Sequence, residues 1–171
     1  MAKKKDKKAA KADKTNAVRM VEAAGIEYKM NLQDVSDGFT SGLDLAHQLN
    51  QNPKQVFKTL VTVANTSEHF VCVIPVDREL NLKKAAKHFG VKKLEMLLSR
   101  KLLETTGYIH GGCSPIGMKK PFPTVIDSSA EEFDIIYVSG GRVGLQIELG
   151  REDLINITGA TLGDVTDSPA N

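Results

Sequence analysis

The sequence has few of the residues from which metal centres and catalytic dyads are usually built. It contains two cysteines and four histidines in 171 residues, and no tryptophan. Cys72 and Cys113 are far apart and lack the close spacing of zinc ligands, while His47, His69 and His88 are scattered without an HExxH pattern. We therefore expect reduced thiols, no metal site and no cofactor.

Long apolar segments are also missing. No apolar run approaches the roughly 20 residues that span a bilayer, and the N-terminus has no apolar core of a signal peptide. The hydrophobic content of 41% is ordinary for a globular protein, and 171 residues can bury a sizeable core. These features predict one cytoplasmic domain that does not contact a membrane.

Positive charge is concentrated at the N-terminus. Residues 1–14 hold seven lysines and two aspartates, a local charge of +5, so the remainder carries −3 against +2 for the whole chain. We predict a basic, disordered tail over residues 1–14 and a domain over residues 15–171. The tail is either simply solvated or touches a phosphate backbone without sequence preference. The acidic remainder, without a helix-turn-helix pattern, argues against a DNA-binding regulator.

Glycine is concentrated in two short segments. Residues 107–117 contain four glycines and a Ser-Pro turn, and Ser139-Gly140-Gly141 forms a second cluster. Their spacing matches neither the phosphate loop GxxxxGK[ST] nor the dinucleotide fingerprint GxGxxG. Because glycine lets bare backbone N–H groups approach a ligand, the two segments predict a pocket built from main chain.

Hydrophobic periodicity and turn residues predict an α+β domain with one mixed, curved sheet. Thr15, Ser41 and Asn81 are predicted helix N-caps, and Gly90 and Gly107 are predicted helix ends. The predicted helices cover residues 16–24, 42–51, 82–89, 100–106 and, as the last element, 152–157. The predicted strands cover residues 26–32, 59–64, 69–76, 124–127, 135–139 and 144–149, with residues 65–68 as a hairpin turn.

An ordered series of short motifs runs through the chain. It comprises Phe57-Lys58-Thr59-Leu60, Val73-Ile74-Pro75-Val76, Leu82-Lys83-Lys84-Ala85-Ala86, residues 106–117, Pro123-Thr124-Val125-Ile126-Asp127 and residues 137–149. The series resembles the YbaK family of cysteinyl-tRNA(Pro) deacylases, which is related to the editing domain of bacterial prolyl-tRNA synthetases. The resemblance covers about residues 15–165.

The resemblance implies a fold and an activity. The fold is a single α+β domain whose central mixed, barrel-like sheet is flanked by helices. The activity is trans-editing, the hydrolysis of the ester between a wrong amino acid and the 3′-terminal adenosine of a tRNA. Aminoacylated tRNA, bound at its CCA end, is the implied partner, with prolyl-tRNA synthetase as a further one.

The resemblance also implies a set of site residues. Lys58 matches an essential lysine, whose charge would stabilise the reacting ester. The implied substrate-binding residues are Thr59, Gly111, Gly112, Ser114, Pro115, Gly117, Ser139, Gly140 and Gly141. Each has a purely structural alternative: a surface lysine, a β-branched strand residue, a tight turn or a strand-end bulge.

No protein nucleophile or general base stands out. His110 is outside the family motif, and Cys113 is better explained as a small buried residue than as a nucleophile. The resemblance implies instead that the thiol of the substrate cysteine attacks its own ester carbonyl. Gln33, Gln146 and Ser41 lie near positions where family members carry other residues, so alanyl- or seryl-tRNA editing stays open. The alternative from another class is a noncatalytic module that binds tRNA or a synthetase.

Overall fold

A computed structural model describes residues 14–33 and 41–167 of the chain. Of the predicted basic tail, only Lys14 falls within this range, and its ammonium pairs with Glu22 at 2.9 Å. The prediction for residues 1–13 therefore lies outside the described residues.

The described residues form helices and strands in mixed order. The helices are α1 (Asn16–Ala23), α2 (Gly42–Gln48), α3 (Leu82–Phe89), α4 (Ser99–Thr106) and α5 (Arg151–Thr158), with a 3-10 helix at Ser128–Glu132. The strands are β1 (Tyr28–Leu32), β2 (Phe57–Ala64), β3 (His69–Pro75), β4 (Leu94–Met96), β5 (Thr124–Asp127), β6 (Ile135–Ser139), β7 (Leu145–Gly150) and β8 (Thr161–Gly163).

Side-chain caps begin three of the helices as predicted. The side-chain oxygens of Thr15, Ser41 and Asn81 accept hydrogen bonds from the backbone N–H three residues later. Each cap satisfies one of the donors that the first helical turn leaves unpaired. Gly90 and Gly107 end α3 and α4 with φ of 73° and 88°, a conformation that favours glycine.

The strands form two ladders. One has the order β4-β2-β3-β5-β8, with the antiparallel β2–β3 hairpin at its centre and parallel pairing of β5 to β3 and of β8 to β5. The other is antiparallel, with the order β1-β7-β6. A parallel bridge between Val56 and Tyr137 joins β6 to the beginning of β2.

The predicted α+β domain with a mixed, curved sheet is thus confirmed. The described strands bend around a shared core, but their hydrogen bonds do not close into a complete barrel. Three short elements were not predicted: β4, the 3-10 helix and β8. The helix at Arg151–Thr158 is therefore not the last element, because β8 follows it and pairs with β5.

The two faces of the β2–β3 hairpin pack against different partners. Phe57 and Val61 point into the main core, which the antiparallel ladder also lines. The opposite face packs beneath α3 through Cys72 and Ile74, while Val56 on that face packs with Ala46 of α2. Adjacent residues of a strand point to opposite faces of the sheet. Because Phe57 points into the main core, the side chain of Lys58 points to the face that α2 and α3 cover.

Within residues 14–33 and 41–167, no helix combines the length and apolar character that crossing a bilayer requires.

Two adjacent isoleucines of β6 provide a matched test of the core. Ile136 is 0% exposed and Ile135 is 45% exposed. We expect Ile136→Ala to lower the free energy of unfolding by about 2–5 kcal/mol, because it leaves a cavity, and Ile135→Ala to lower it much less. Urea denaturation measures both, and equal losses would contradict the assignment of the two faces.

Candidate active site

Lys58 is a half-buried cation without a close partner. It lies in β2 opposite Ile74, and among the described residues its ammonium forms no hydrogen bond or ion pair. Burial lowers the pKa of Lys58, while the carboxylates of Glu79 and Asp77 act in the opposite direction. A partly desolvated cation that no described carboxylate contacts is a candidate for binding negative charge on a ligand.

Thr59 carries a second unsatisfied polar group. Its Oγ1 is buried without a hydrogen-bond partner, the one such side-chain atom in the described part of the chain. Consecutive strand residues point to opposite faces, so Thr59 leaves β2 with Phe57 on the core side, away from Lys58. The structure therefore does not bring the Thr59 and Lys58 side chains together, and the predicted role of Thr59 stays a prediction.

The two glycine segments contact each other directly. We call residues 107–117 the glycine loop and residues 139–144 the glycine turn. A Cβ added at Gly112 would lie 2.8 Å from Val143 N and 2.9 Å from Arg142 C, so the loop and the turn meet backbone to backbone. Only glycine permits such an approach at this position.

The interior of the glycine loop is held by its own side chains. The hydroxyl of Tyr108 donates to the carbonyl of Ile116 at 2.6 Å, and Ser114 Oγ accepts from Ile116 N at 3.2 Å. Ser114 and Pro115 are buried, so the Ser114 hydroxyl shapes the loop. The backbone N–H groups of Cys113 and Ser114 donate to no described residue, which leaves main-chain donors for a ligand.

Other loop glycines are shaped by their backbone conformation. Gly111 and Gly117 have φ of 84° and 78°, and Gly111 is exposed. A side chain at Gly117 would in addition come within 2.9 Å of Asn16 Nδ2. Both positions therefore require glycine whether or not the loop binds a ligand.

The end of β6 brings the glycine turn near the chain that leads into Lys58. The parallel bridge pairs Val56, two residues before Lys58, with Tyr137, two residues before Ser139. Ser139 Oγ accepts from Gly141 N at 3.2 Å, and Gly140 lies between them. The glycine turn therefore starts close to the bridge between β6 and the beginning of β2, and it contacts the glycine loop on its other side.

A buried amide network lies beside Ser139. Gln146 pairs with Ser139 across β6 and β7 and is 3% exposed. It exchanges two hydrogen bonds with Gln51, at 2.8 and 2.9 Å, and accepts a third from Asn31 at 2.9 Å. The network ties the chain after α2 to the antiparallel ladder.

Gln33 and Ser41, the other two positions that differ from the family pattern, also form hydrogen bonds with α2. Gln33 donates from Nε2 to Gln48 Oε1 at 2.9 Å, and Ser41 caps the helix by accepting from Asp44 N at 3.1 Å. These side chains therefore have structural partners in this chain.

Sequence patterns did not predict that α1 contacts the glycine loop and the glycine turn. The Thr15 hydroxyl donates to the carbonyl of Gly140, and Asn16 Nδ2 donates to the carbonyl of Gly117 at 2.8 Å. These partners are 125 and 101 residues away in the chain, which no local pattern reports. Locally, Thr15 carries only the signature of a helix cap.

The cysteines have the properties of packing residues. Cys113 and Cys72 are free thiols, 7% and 0% exposed, and burial raises their pKa values to about 11 and about 12. No group of three or more His, Cys, Asp or Glu side chains within the described ranges could hold a metal ion. Lys58 and main-chain N–H groups therefore remain the candidate functional groups of this region.

Thiol labelling tests this assignment. At pH 8 we expect DTNB to modify both thiols at least about 10²-fold more slowly in the native protein than in denaturant, because only the thiolate reacts. Cys113→Ala identifies which thiol reacts in each trace. Rapid native labelling that disappears in this variant would show that Cys113 is an accessible nucleophile.

Comparisons with known proteins agree on the family. The model of the aminoacyl-tRNA editing domain matches residues 36–157. A protein of Enterococcus faecalis (strain ATCC 700802 / V583) named "Putative Cys-tRNA(Pro)/Cys-tRNA(Cys) deacylase EbsC" is 46% identical over 166 residues, which cover 97% of this chain and 98% of the relative.

Solved structures share the fold. One described as "a putative trans-editing enzyme for prolyl tRNA synthetase" has a TM-score of 0.77 at 21% identity, covering 90% of this chain and 96% of the other. The hypothetical protein APE2540 has a TM-score of 0.80 at 24% identity, with coverage of 90% and 100%. The chain is a member of the aminoacyl-tRNA editing domain family.

Proposed function

We propose that this protein is a trans-editing deacylase that cleaves the aminoacyl ester of mischarged Cys-tRNA(Pro). Lys58 carries the proposal, since it is a half-buried cation that forms no hydrogen bond or ion pair among the described residues. The 46% identical relative, whose name gives Cys-tRNA(Pro) and Cys-tRNA(Cys) as substrates, supports it over 97% of the chain.

Editing of this kind follows from the limits of binding selectivity. A hydrophobic pocket gains only about 1–3 kcal/mol from one methylene group, so a synthetase site cannot strongly reject an amino acid of nearly the same size. Cysteine and proline are close in size. A second site that accepts cysteine and cleaves its ester restores accuracy.

The reaction that we propose uses the substrate's own sulfur. The cysteine thiol attacks the ester carbonyl carbon, the bond from that carbon to the ribose oxygen breaks, and the thiol proton passes to that oxygen, which leaves as the ribose hydroxyl. The cyclic thioester that forms is then hydrolysed to cysteine by water. This route requires no protein nucleophile, in agreement with the raised pKa of Cys113.

The protein's part is to orient the ester and stabilise charge. The carbonyl oxygen becomes negative when sulfur attacks, and the N–H groups of Cys113 and Ser114, which donate to none of the described residues, are suited to donate hydrogen bonds to it. The Lys58 ammonium supplies the positive charge. Because these groups are fixed before the substrate binds, little reorganisation is needed during the reaction.

The proposal extends to partners and domain limits. The catalytic unit would span residues 15–171, with residues 1–14 as a separate basic segment. Aminoacylated tRNA would bind through its CCA end, and prolyl-tRNA synthetase would be the source of the mischarged substrate.

A deacylation panel tests the activity. We expect release of cysteine from Cys-tRNA(Pro) and little release of proline from Pro-tRNA(Pro). S-methylcysteinyl-tRNA(Pro) should be nearly inert, because its thioether cannot attack the carbonyl. Radiolabelled amino acid release measures all of these, with Ala- and Ser-charged tRNA in parallel.

Each alternative has its own outcome in that panel. Faster release of alanine or serine would move the assignment to a sister specificity. Full activity on the S-methyl substrate would replace the substrate thiol by an attacking water. Absence of release from every substrate would favour a noncatalytic binding module.

Replacing Lys58 by methionine separates activity from stability. Lys58→Met keeps the side-chain length but removes the charge, so we expect a loss of about 10²-fold or more in kcat. The lowered pKa of Lys58 means that the fold disfavours its cation, so the variant should be at least as thermostable as the wild type.

Lys93→Ala serves as the matched control. Lys93 is an exposed lysine paired with Glu95 next to β4, away from the glycine segments, and its loss should leave kcat unchanged. Near wild-type turnover by folded Lys58→Met would contradict the role of Lys58.

A further inference from the structure

The first turn of α1 makes side-chain contacts with both glycine segments. Thr15 donates its hydroxyl hydrogen to the carbonyl of Gly140 while its oxygen accepts from Val18 N at 3.2 Å. The neighbouring Asn16 donates to the carbonyl of Gly117 at 2.8 Å. Two consecutive side chains thus join the glycine turn and the end of the glycine loop to one rigid element.

The packing at these contacts is tight. A Cβ at Gly141 would lie 2.8 Å from Tyr108 Cε1 and 3.2 Å from Thr15 Cβ, and one at Gly117 would lie 2.9 Å from Asn16 Nδ2. The loop, the turn and α1 therefore lie within van der Waals contact. A shift of α1 would change the distance between the two segments.

The Thr15 hydrogen bond also constrains the peptide unit between Gly140 and Gly141. The carbonyl of Gly140 belongs to the same peptide unit as the N–H of Gly141, which donates to Ser139 Oγ at 3.2 Å. Ser139 follows two residues after Tyr137, whose bridge partner Val56 lies two residues before Lys58. Fixing this peptide plane therefore fixes the start of the glycine turn, near the chain that leads into Lys58.

We propose that Thr15 and Asn16 are positioning residues of the deacylase site. They touch no reacting atom, and they act by holding the carbonyls of Gly140 and Gly117 so that the loop and turn amides keep their spacing. The inference rests on the proposed function, but it concerns α1, which precedes the segment that the editing-domain model matches. A displacement of about 1 Å in such a group can lower a rate by 10²-fold.

Aspartate substitutions separate this role from helix capping. Thr15→Asp keeps an N-cap acceptor for Val18 N but has no hydrogen to donate to Gly140. Asn16→Asp is isosteric, removes the donor to Gly117 and places an acid in the first turn, where the helix dipole favours it. Thr15→Ser keeps both the cap and the donor, and is the conservative control.

We expect each aspartate variant to lose about tenfold or more in kcat with KM changed less than about threefold, while Thr15→Ser stays within about twofold of wild type. Melting temperatures should stay close to the wild-type value. Amide hydrogen exchange, followed by NMR, should accelerate at residues 111–117 and 139–141. Kinetics at two salt concentrations remove the effect of added charge on tRNA binding, because salt screens it.

Several results would overturn the proposal. Unchanged kcat in both aspartate variants would show that the contacts do not position the site. A loss of kcat accompanied by a lower melting temperature would show a purely structural role. Unchanged amide exchange in the loop and turn would refute the positioning role of these contacts, whether or not the wild type cleaves aminoacyl-tRNA. Absence of cleavage by the wild type would count against the proposed function alone.

Discussion

The close packing of two glycine segments is the constraint on which the candidate site depends. Gly112 lies against the backbone of Arg142 and Val143 at distances that exclude any side chain. This approach brings the end of β6 beside a loop that follows α4, in which the N–H groups of Cys113 and Ser114 donate to none of the described residues. Glycine at these positions therefore provides backbone donors in a fixed geometry rather than a flexible connection.

Two consecutive residues of β2 carry polar groups that do not stabilise the fold. Among the described residues, the Lys58 ammonium is partly desolvated without an ion pair, and the Thr59 hydroxyl on the opposite face is buried without a hydrogen-bond partner. Other buried polar groups are satisfied: Asp127, for example, accepts hydrogen bonds from Ser129, Val165 and Thr166. Unsatisfied polar groups at consecutive positions of one strand are expected where a protein trades stability for ligand binding.

Local sequence signals predicted most of the fold. Caps at Thr15, Ser41 and Asn81 and the β2–β3 hairpin were correct because each depends on residues a few positions apart. The strands β4 and β8 could not be found in this way. Each has three residues and at most one buried side chain, so its strand conformation depends on distant partners in β2 and β5.

The sequence predicted only part of the candidate site, because local patterns report only on residues a few positions apart. Glycine content marked both segments, but only the family resemblance distinguished Lys58 from a surface lysine. The contacts of Thr15 and Asn16 with the glycine segments, and the pairing of Gln51 with Gln146, join residues at least 95 positions apart. Such contacts follow from the tertiary fold and leave no periodic or local trace.

The most direct test is the structure of the protein bound to an adenosine that carries cysteine through a 3′-amide, which cannot be cleaved by the same route. We expect the amide carbonyl oxygen within about 3 Å of a glycine-loop N–H, and Lys58 Nζ within about 4 Å of the aminoacyl group. Binding of the analogue elsewhere on the domain, with Lys58 and the glycine loop free of contact, would contradict the proposed site.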